Sequence, residues 1–427
     1  MERQPPHRPR TRPGPGRRRA GPRPGRLSGH GRAARRHRIA LLPALLLLAA
    51  TAGCDWISRT LFSRTAAGGP EAGLSADEVR GDALREVIGG LDTPWEIRFL
   101  PDGDLLVTER PGRLLRIDPG AHGGDGRGPA EVVERHPVEG VREAGEGGLM
   151  GLAVHPGYPD NPWIYLCLTA AGDGGLVNRV VRYRYADGRL SGATAVVDRM
   201  AGAAIHDGCR LEFGPDGHLF VTMGDAGRGS RAQDRDALNG KILRVTDGGG
   251  VPGDNPFGTR VWSWGHRNPQ GLAFDGRGRL WSTEHGPSGL GSGLDELNLV
   301  RRGGNYGWPD VTGDRTREGT VAPVLHSGPS TWAPAGLAHL GGRLFFGGLR
   351  GEALHEVRGA AGASSPGRDG APRLIRHFHR ELGRVRAVRA GPGGALWFGT
   401  SNRDGRGRPR EGDDRIFRLT PGSPAGR

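Results

Sequence analysis

The chain has 427 residues, enough for two or three ordinary domains or for one large all-β ring, and its 78 glycines and 33 prolines make up about a quarter of the sequence. Most glycines beyond residue 85 fall between hydrophobic runs, as turn residues do, which indicates many short strands. The net charge of +14 comes almost entirely from residues 1–38, and the remainder has no basic stripe interleaved with aromatic residues, which argues against nucleic-acid binding.

An export signal is predicted near the N-terminus. Three arginines precede an apolar run over residues 39–53, which has the length of a signal-peptide core and is short for a transmembrane helix of about 20 residues. Cys54 follows small residues as in a lipoprotein box, although Thr51 stands where leucine is usual. We expect an exported protein that is lipid-anchored at Cys54 on the outer face of the cytoplasmic membrane. Cleavage near Ala52 with secretion, or an uncleaved anchor, stays open.

Composition divides the chain into four segments. We interpret residues 1–53 as a basic leader and signal peptide, 54–85 as a flexible tether, 86–420 as one folded domain and 421–427 as a tail. The tether is rich in small residues and has no sustained hydrophobic periodicity.

One unit recurs along the folded domain: apolar alternation, a Pro-Asp-Gly-like turn, and apolar alternation again. It occurs six times, at residues 95–109, 151–168, 210–225, 271–286, 336–349 and 387–401. Successive turn centres lie 52 to 64 residues apart, which leaves room for two more strands in each unit. Further strands are predicted at residues 113–119, 178–185, 241–246, 353–358 and 415–420. The alternatives are a β-sandwich array or tandem small domains, but near-even repeats without linkers favour an all-β, six-bladed β-propeller.

Two cysteines lie within this domain. Cys167 falls in the apolar strand WIYLCL and is predicted to be buried. A disulfide between Cys167 and Cys209 stays open, but nothing in their spacing argues for it. We therefore expect the hydrophobic core, rather than covalent links, to hold the fold.

Polar residues next to the predicted strands form the candidate site, because loops around the channel of a propeller display its chemistry. Arg267, with Asn268 and Gln270, could clamp a carboxylate or a quinone oxygen through its planar fork; the alternative is a polar network between blades. His206 stands just before the third hairpin, where it could serve as a general base. Its alternative is a surface or capping histidine.

Oxygen donors and further cations complete the candidate site. The carbonyls of the Gly286-Pro287 turn and the carboxylates of Asp295 and Glu296 are hard donors that suit calcium, against the alternative of turn chemistry with an N-cap. Three arginines near the fifth and sixth hairpins suggest an anionic ligand, although a single such residue is usually a solvated charge. They are Arg350, Arg384 and Arg386.

The chain resembles the soluble glucose/sorbosone dehydrogenase family in several motifs, among them GEGGLMGLAVHP, HDGCRLEFGPDG, GKILR, WGHRNPQGLAF and GGNYGWP. Members of that family are six-bladed propellers that oxidise aldoses with pyrroloquinoline quinone (PQQ) and calcium. The resemblance extends over about residues 86–420. It implies that His206 is the base that takes the proton of the anomeric hydroxyl, and that Arg267 stabilises negative charge on the reduced quinone.

The resemblance also implies cofactor contacts and metal ligands. The implied cofactor contacts are Glu146, Arg267, Asn268, Gln270, Arg350 and Arg386. The implied calcium ligands are the carbonyls of Gly286 and Pro287 beneath the cofactor and, at a second position, Asp295, Glu296 and the carbonyl of Tyr306. Glu146 stands where the family has glutamine, and an acidic group beside a tricarboxylate cofactor would repel it unless that group is protonated or turned away. Arg350 replaces a lysine.

These observations predict an exported oxidoreductase whose substrate is a small sugar. Electrons would pass to an external acceptor, either a quinone or a cytochrome. The alternative is a non-enzymatic exported propeller that binds carbohydrate or a protein partner. No GxSxG, HExxH, CxxC or Walker motif supports another chemistry.

Overall fold

The computed structural model describes residues 70–75, 83–120, 128–289, 292–360 and 372–420. They form six antiparallel sheets with almost no helix, and the innermost strand of each sheet contacts that of the next around a closed ring. The predicted six-bladed β-propeller is therefore confirmed. Within the described ranges, no helix has the length and apolar character needed to cross a membrane. The predicted signal peptide, Cys54 and the tail 421–427 lie outside these ranges.

The first three blades follow the chain in order, from innermost to outermost strand. Blade one consists of β3 (Pro94–Phe99), β4 (Leu105–Glu109), β5 (Arg113–Asp118) and β6 (Glu131–Pro137). Blade two consists of β7 (Leu149–Val154), β8 (Trp163–Gly172), β9 (Gly175–Ala186) and β10 (Arg189–Ala201). Blade three consists of β11 (Leu211–Phe213), β12 (Leu219–Met223), β13 (Lys241–Val245) and β14 (Val261–Trp264), with the short helix α1 (Ser230–Gln233) between β12 and β13.

The next two blades repeat this pattern, and blade five has an added edge strand. Blade four consists of β15 (Pro269–Phe274), β16 (Leu280–Glu284), β17 (Glu296–Val300) and β18 (Leu325–His326). Blade five consists of β19 (Pro334–Leu340), β20 (Arg343–Gly348), β21 (Ala353–Arg358) and β22 (Arg373–His377), with β1 (Glu71–Ala72) parallel to β22 at its edge.

Blade six closes the ring with strands from both ends of the domain. It consists of β23 (Val385–Ala390), β24 (Leu396–Thr400), β25 (Ile416–Leu419) and β2 (Leu84–Ile88), with a single 3₁₀ turn at Pro392–Gly394. Strands β1 and β2 begin inside the segment 54–85, which lacks the periodicity that would have predicted them. A two-residue strand and an outer edge strand bury too little surface to impose a hydrophobic pattern.

All six predicted hairpins are the inner two strands of a blade, and the five further predicted strands fall on β5, β9, β13, β21 and β25. These inner strands are the most regular in sequence because neighbouring blades cover both of their faces. Strand β4 (LLVTE) and strand β16 (LWSTE) are buried at every position. Between blades two and three, Tyr165, Leu211 and Val221 are completely buried.

A disulfide joins Cys167 in β8 to Cys209 just before β11, with the two Cα atoms 5.6 Å apart. The expectation of a fold held without covalent links is therefore wrong. The spacing of 42 residues could not reveal the pair, because the link crosses from one blade to the next. Both cysteines are completely buried, and Cys209 follows the candidate base His206 by three residues.

Replacing both cysteines by alanine should lower the melting temperature while the strand content stays unchanged. Loss of a native disulfide typically costs roughly 2–5 kcal/mol of unfolding free energy. Thermal unfolding followed by circular dichroism measures the change, and thiol titration of the unfolded, unreduced wild type checks the link. Two free thiols in this domain, or an unchanged melting temperature, would contradict the prediction.

Candidate active site

A cavity of about 430 Å³ lies at the end of the ring where the innermost strands begin. The segments that precede β7, β11, β15, β19 and β23 all contribute residues to it, so five of the six blades build one site. Among its lining residues are the sequence-predicted Glu146, His206, Arg267, Gly286, Pro287, Asp295, Arg350 and Arg384. It also contains His285 and Arg406, which the sequence analysis did not select.

The imidazole of His206 is held by a buried carboxylate. Its Nδ1 lies 2.7 Å from Oδ1 of Asp225, which also accepts a hydrogen bond from the backbone N–H of Gly227 at 2.8 Å. Burial works against ionisation of Asp225, but the hydrogen bonds from His206, Trp308 and Gly227 outweigh it and lower its pKa. Because an ionised Asp225 accepts the Nδ1 proton, neutral His206 keeps Nε2 as its basic lone pair, which suits a general base.

Sequence reasoning missed Asp225, although one signal was available. The residue follows strand β12 in VTMGD, where a polar side chain closes an apolar run. His206 itself has a φ of 61°, a left-handed conformation that few non-glycine residues adopt, and its backbone N–H donates to Oε2 of Glu146 at 2.9 Å. Strained backbone at a candidate catalytic residue is typical of functional sites.

Arg267 is a buried cation without a carboxylate partner. Only 6% of its surface is exposed, and within the described ranges no carboxylate lies at ion-pair distance from its guanidinium. Its Nη2 donates to Ser288 Oγ at 2.8 Å, and its backbone N–H donates to the carboxylate of Glu284. Burial lowers the pKa of Arg267. The carboxylates of Asp225, Glu284, Glu146 and Asp295 act on it from beyond ion-pair distance, so this buried guanidinium has no direct partner among the described residues and fits an anionic ligand.

Three buried polar atoms beside this cation have no hydrogen-bond partner among the described residues. They are Arg267 Nε, Asn268 Nδ2 and Gln270 Oε1. Asn268 uses its other side-chain atom to accept the backbone N–H of Gly208 at 3.1 Å, which ties blade four to the loop of His206. Buried polar groups are nearly always paired, so the free Nε of Arg267, a lining residue, fits a ligand with hydrogen-bonding groups, whereas Asn268 and Gln270 lie behind the lining residues.

Two further arginines share one carboxylate. Nη2 of Arg384 and Nη2 of Arg386 lie 2.7 Å and 3.2 Å from Oδ2 of Asp404. Burial lowers the pKa of Arg386 to about 10, with Asp404 acting in the opposite direction. The trio keeps a net positive charge, and the exposed Arg350 adds another cation to the cavity. Together with Arg267 and the unpaired atoms, these cations fit the carboxylates of PQQ.

Glu146 lines the cavity and its pKa is lowered, so neither condition that would spare an anionic cofactor its charge is met. Burial alone would raise its pKa, but His285, the backbone N–H of His206 and Arg406 lower it to about 2. Burial lowers the pKa of His285, and Arg406 is the residue that forms an ion pair with Glu146. Nη1 of Arg406 donates to Oε1 of Glu146 at 2.7 Å. This ion pair offsets the negative charge that glutamate introduces at the position where the family has glutamine.

The predicted calcium ligands separate into different environments. Within the described ranges the carbonyls of Gly286 and Pro287 accept no hydrogen bond and remain available. Asp295 is occupied by four donors, whose distances to its oxygens are 2.6 to 2.8 Å: Gly286 N, Thr331 Oγ1, Trp332 N and Ala333 N. The assignment of Asp295 as a calcium ligand stays a prediction. Its observed contacts hold two loops together.

Glu296 is the first residue of β17, and its carboxylate has other partners than that of Asp295, which precedes the strand. Its carboxylate accepts hydrogen bonds from Asn298 Nδ2 and Gly313 N, each at 3.1 Å, and it lies across the β16–β17 ladder from Glu284. Burial, followed by repulsion from Glu284, raises the pKa of Glu296 to about 8. Two buried acids that repel each other suit a cation, but no group of three or more acidic, histidine or cysteine side chains forms a metal cluster in the described part.

Tyr306 is a buried residue of the loop between β17 and β18. Its ring stacks on His266 with centroids 4.6 Å apart, and its hydroxyl donates to the carbonyl of Leu299 at 2.7 Å. The ring thus serves packing, and only its backbone carbonyl could act as the predicted calcium ligand.

Asp207, the neighbour of His206, is a second buried acid at the site. Its Oδ1 accepts hydrogen bonds from Asn178 Nδ2 at 2.8 Å and Ala203 N at 3.0 Å, whereas Oδ2 is buried without a partner among the described residues. Burial raises its pKa to about 7, with the charge of Glu146 adding to the effect and the two hydrogen bonds opposing it. The folded protein therefore favours a protonated Asp207.

Residues 91–409 match the family described as Glucose / Sorbosone dehydrogenase. The chain is 37% identical over 238 residues to the aldose sugar dehydrogenase YliI of Escherichia coli, covering 52% of this chain and 60% of that protein. It is 34% identical over 266 residues to the quinoprotein glucose dehydrogenase B of Acinetobacter calcoaceticus, covering 55% of this chain and 53% of that protein. The PQQ-bound aldose sugar dehydrogenase of Streptomyces coelicolor superposes with a TM-score of 0.70 and 37% identity, covering 79% of this chain and 96% of that chain.

The raised pKa of Asp207 predicts a specific dependence of stability on pH. The folded state binds the proton of Asp207 more tightly than the unfolded state does. The resulting gain in the free energy of unfolding is fully present below pH 3.8, the ordinary pKa of aspartate, and is lost as pH rises through about 7. Asp207→Asn keeps the Oδ1 acceptor and cannot ionise, so the variant should match the wild type near pH 4 and be more stable at pH 8. Urea unfolding at both pH values measures the difference.

Asp275→Asn is the matched control. The hydrogen bonds of Trp281 Nε1, two backbone N–H groups and Arg279 overcome burial and lower the pKa of Asp275 to about 2. Replacing this carboxylate by an amide should therefore lower the free energy of unfolding at pH 8. A variant Asp207→Asn that is less stable than the wild type at pH 8 would contradict the prediction for Asp207.

Proposed function

The chain belongs to the glucose/sorbosone dehydrogenase family, and on that premise we propose that it oxidises the anomeric hydroxyl of an aldose-type sugar with bound PQQ and calcium. An external acceptor, a quinone or a cytochrome, would then remove the electrons. The observation that carries the proposal is that His206, paired with Asp225, lines the same cavity as Arg267, whose guanidinium has no direct ion pair with a described residue. A base and a cation in one enclosed site are what removal of a hydroxyl proton and stabilisation of negative charge require.

His206 acts as the base in this proposal. Its Nε2 takes the proton of the anomeric hydroxyl, and Asp225 stabilises the resulting imidazolium through the Nδ1–H bond of 2.7 Å. PQQ, when bound, would accept the hydride of the anomeric carbon and so the two electrons of the oxidation, which leaves a lactone. Arg267 supplies fixed positive charge where negative charge develops, at no cost of reorganisation.

Arg267, Asn268 and Gln270, each with a buried polar atom that has no partner among the described residues, would contact the oxygen atoms of the cofactor. Arg350, which lines the cavity, and Arg386, which is paired with Asp404, would face its carboxylates. The free carbonyls of Gly286 and Pro287 would bind the calcium beneath it. At the second predicted position, Glu296 and the carbonyl of Tyr306 remain the candidates.

The alternative of a non-enzymatic propeller accounts for the scaffold but not for the site. A carbohydrate-binding surface needs neither an oriented histidine–aspartate pair nor a buried guanidinium that forms no direct ion pair with the described residues. The quinoprotein and PQQ-bound relatives add support for the enzyme.

We also propose export with a lipid anchor at Cys54, and this part rests on the sequence alone. Mass spectrometry of the mature N-terminus distinguishes a lipidated Cys54 from free cleavage near Ala52. An unprocessed N-terminus would contradict both forms of export.

His206→Ala should lower kcat by about 10²–10⁴-fold and leave the affinity for PQQ nearly unchanged. Steady-state kinetics of the reconstituted enzyme and a PQQ titration of the apoprotein measure the two effects. His218→Ala is the matched control, because His218 also faces an aspartate, Asp216 at 3.6 Å, but belongs to the β11–β12 turn. A variant His206→Ala that keeps more than half of the wild-type kcat would remove His206 from this role.

A further inference from the structure

We infer that Trp308 is a positioning residue of this site: its indole N–H fixes Asp225, and thereby the orientation of His206, while its ring supports Arg267. The expected effect on kcat rests on the proposed function. The expected effect on the orientation of His206 rests on the geometry alone. Trp308 belongs to the motif GGNYGWP, whose role the sequence analysis left unexplained beyond a backbone carbonyl of Tyr306.

The first observation is that the two carboxylate oxygens of Asp225 bind different side chains. Oδ1 lies 2.7 Å from His206 Nδ1, and Oδ2 accepts the Trp308 Nε1–H at 2.8 Å. A carboxylate with a partner on each oxygen cannot rotate without breaking one of the two bonds. Trp308 on Oδ2 and the backbone N–H of Gly227 on Oδ1 together hold the plane of the carboxylate, and Trp308 is the side chain that sets the direction in which His206 presents Nε2.

The second observation is the contact between Trp308 and Arg267. The guanidinium carbon of Arg267 lies 5.3 Å from the centroid of the indole ring, a cation–π distance. The only hydrogen bond of that guanidinium within the described part goes to the exposed Ser288. One side chain thus contacts both the partner of the candidate base and the candidate charge-stabilising arginine.

The third observation is that Trp308 itself is held rigidly. Its backbone N–H donates to the carbonyl of Gly265 at 3.0 Å, and its carbonyl accepts the side-chain amide of Gln233, at the end of α1, at 2.7 Å. A Cβ at Gly229 would lie 3.2 Å from Nε1, so the backbone of that loop packs closely against the indole. A rigid donor can position its acceptor, whereas a mobile one cannot.

Trp308→Phe tests the inference because it removes the N–H and keeps an aromatic ring over Arg267. We expect kcat to fall about 10- to 100-fold, the size expected for a lost hydrogen bond to a charged group, with the KM for sugar and the affinity for PQQ changed less than about threefold. A residue that only packs would tolerate this change. Wild-type kcat in the variant would overturn the inference.

Trp281→Phe is the matched control. Its Nε1 donates to Oδ2 of Asp275 at 2.9 Å, the same kind of bond, next to the β15–β16 turn. We expect the melting temperature to fall by a similar amount in the two variants. Only Trp308→Phe should also lower kcat. An equal loss of kcat in both variants would mean that general destabilisation, rather than positioning, explains the effect.

A double-mutant cycle with Asp225→Asn tests whether Trp308 acts through Asp225. Because the proposed route runs through that carboxylate, Trp308→Phe should cost little further activity in the Asp225→Asn background. Additive losses would contradict the route.

Nitrogen-15 NMR of His206 in the apoprotein gives a readout that needs no activity. The wild type should show one neutral tautomer with the proton on Nδ1, and Trp308→Phe should show a mixture of both tautomers. Unchanged tautomers would overturn the inference whatever the kinetics. If the wild type lacks dehydrogenase activity but the tautomers shift as expected, the positioning role stands and only the proposed function fails.

Discussion

Pairing of β2 with β25 is the constraint on which the site depends. It joins a strand from the beginning of the domain to one from its end, with Glu86 opposite Phe417 in the register, and so completes the sixth sheet. Six blades closed in this way bring the starts of their innermost strands to one end of a ring. Glu146, Arg267 and Arg384 lie far apart in sequence and meet in one cavity only for that reason.

Acidic residues at the ends of strands orient the basic residues that carry the proposed chemistry. Asp225 fixes His206, Asp404 gathers two arginines, and Glu284 holds the backbone of Arg267 while also accepting a hydrogen bond from His266 at 2.9 Å. Each carboxylate is buried and already paired. Among the lining residues, four arginines outnumber the carboxylates of Glu146 and Asp295, and this positive excess suits an anionic cofactor, while the orienting acids keep the geometry fixed before it binds.

The sequence predicted the repeating part of the molecule, because strands covered on both faces show a regular hydrophobic pattern. It also predicted His206 and Arg267 as a pair at strand ends, which the structure brings to one cavity. Contacts between distant loops could not be predicted. Glu146 and Arg406 are 260 residues apart, and the Trp308–Asp225 bond spans 83 residues. Neither contact can be predicted from a local sequence pattern. The disulfide between blades two and three could not be predicted for the same reason.

Titration of the purified apoprotein with PQQ, with and without calcium, tests the central claim most directly. The absorbance of the cofactor reports binding, and anaerobic addition of aldoses then reports its reduction. The account predicts saturable binding of one PQQ per chain that requires calcium, followed by loss of the oxidised spectrum when a suitable aldose is added. Absence of saturable binding in the presence of calcium, or bound PQQ that no pentose or hexose aldose reduces, would contradict it.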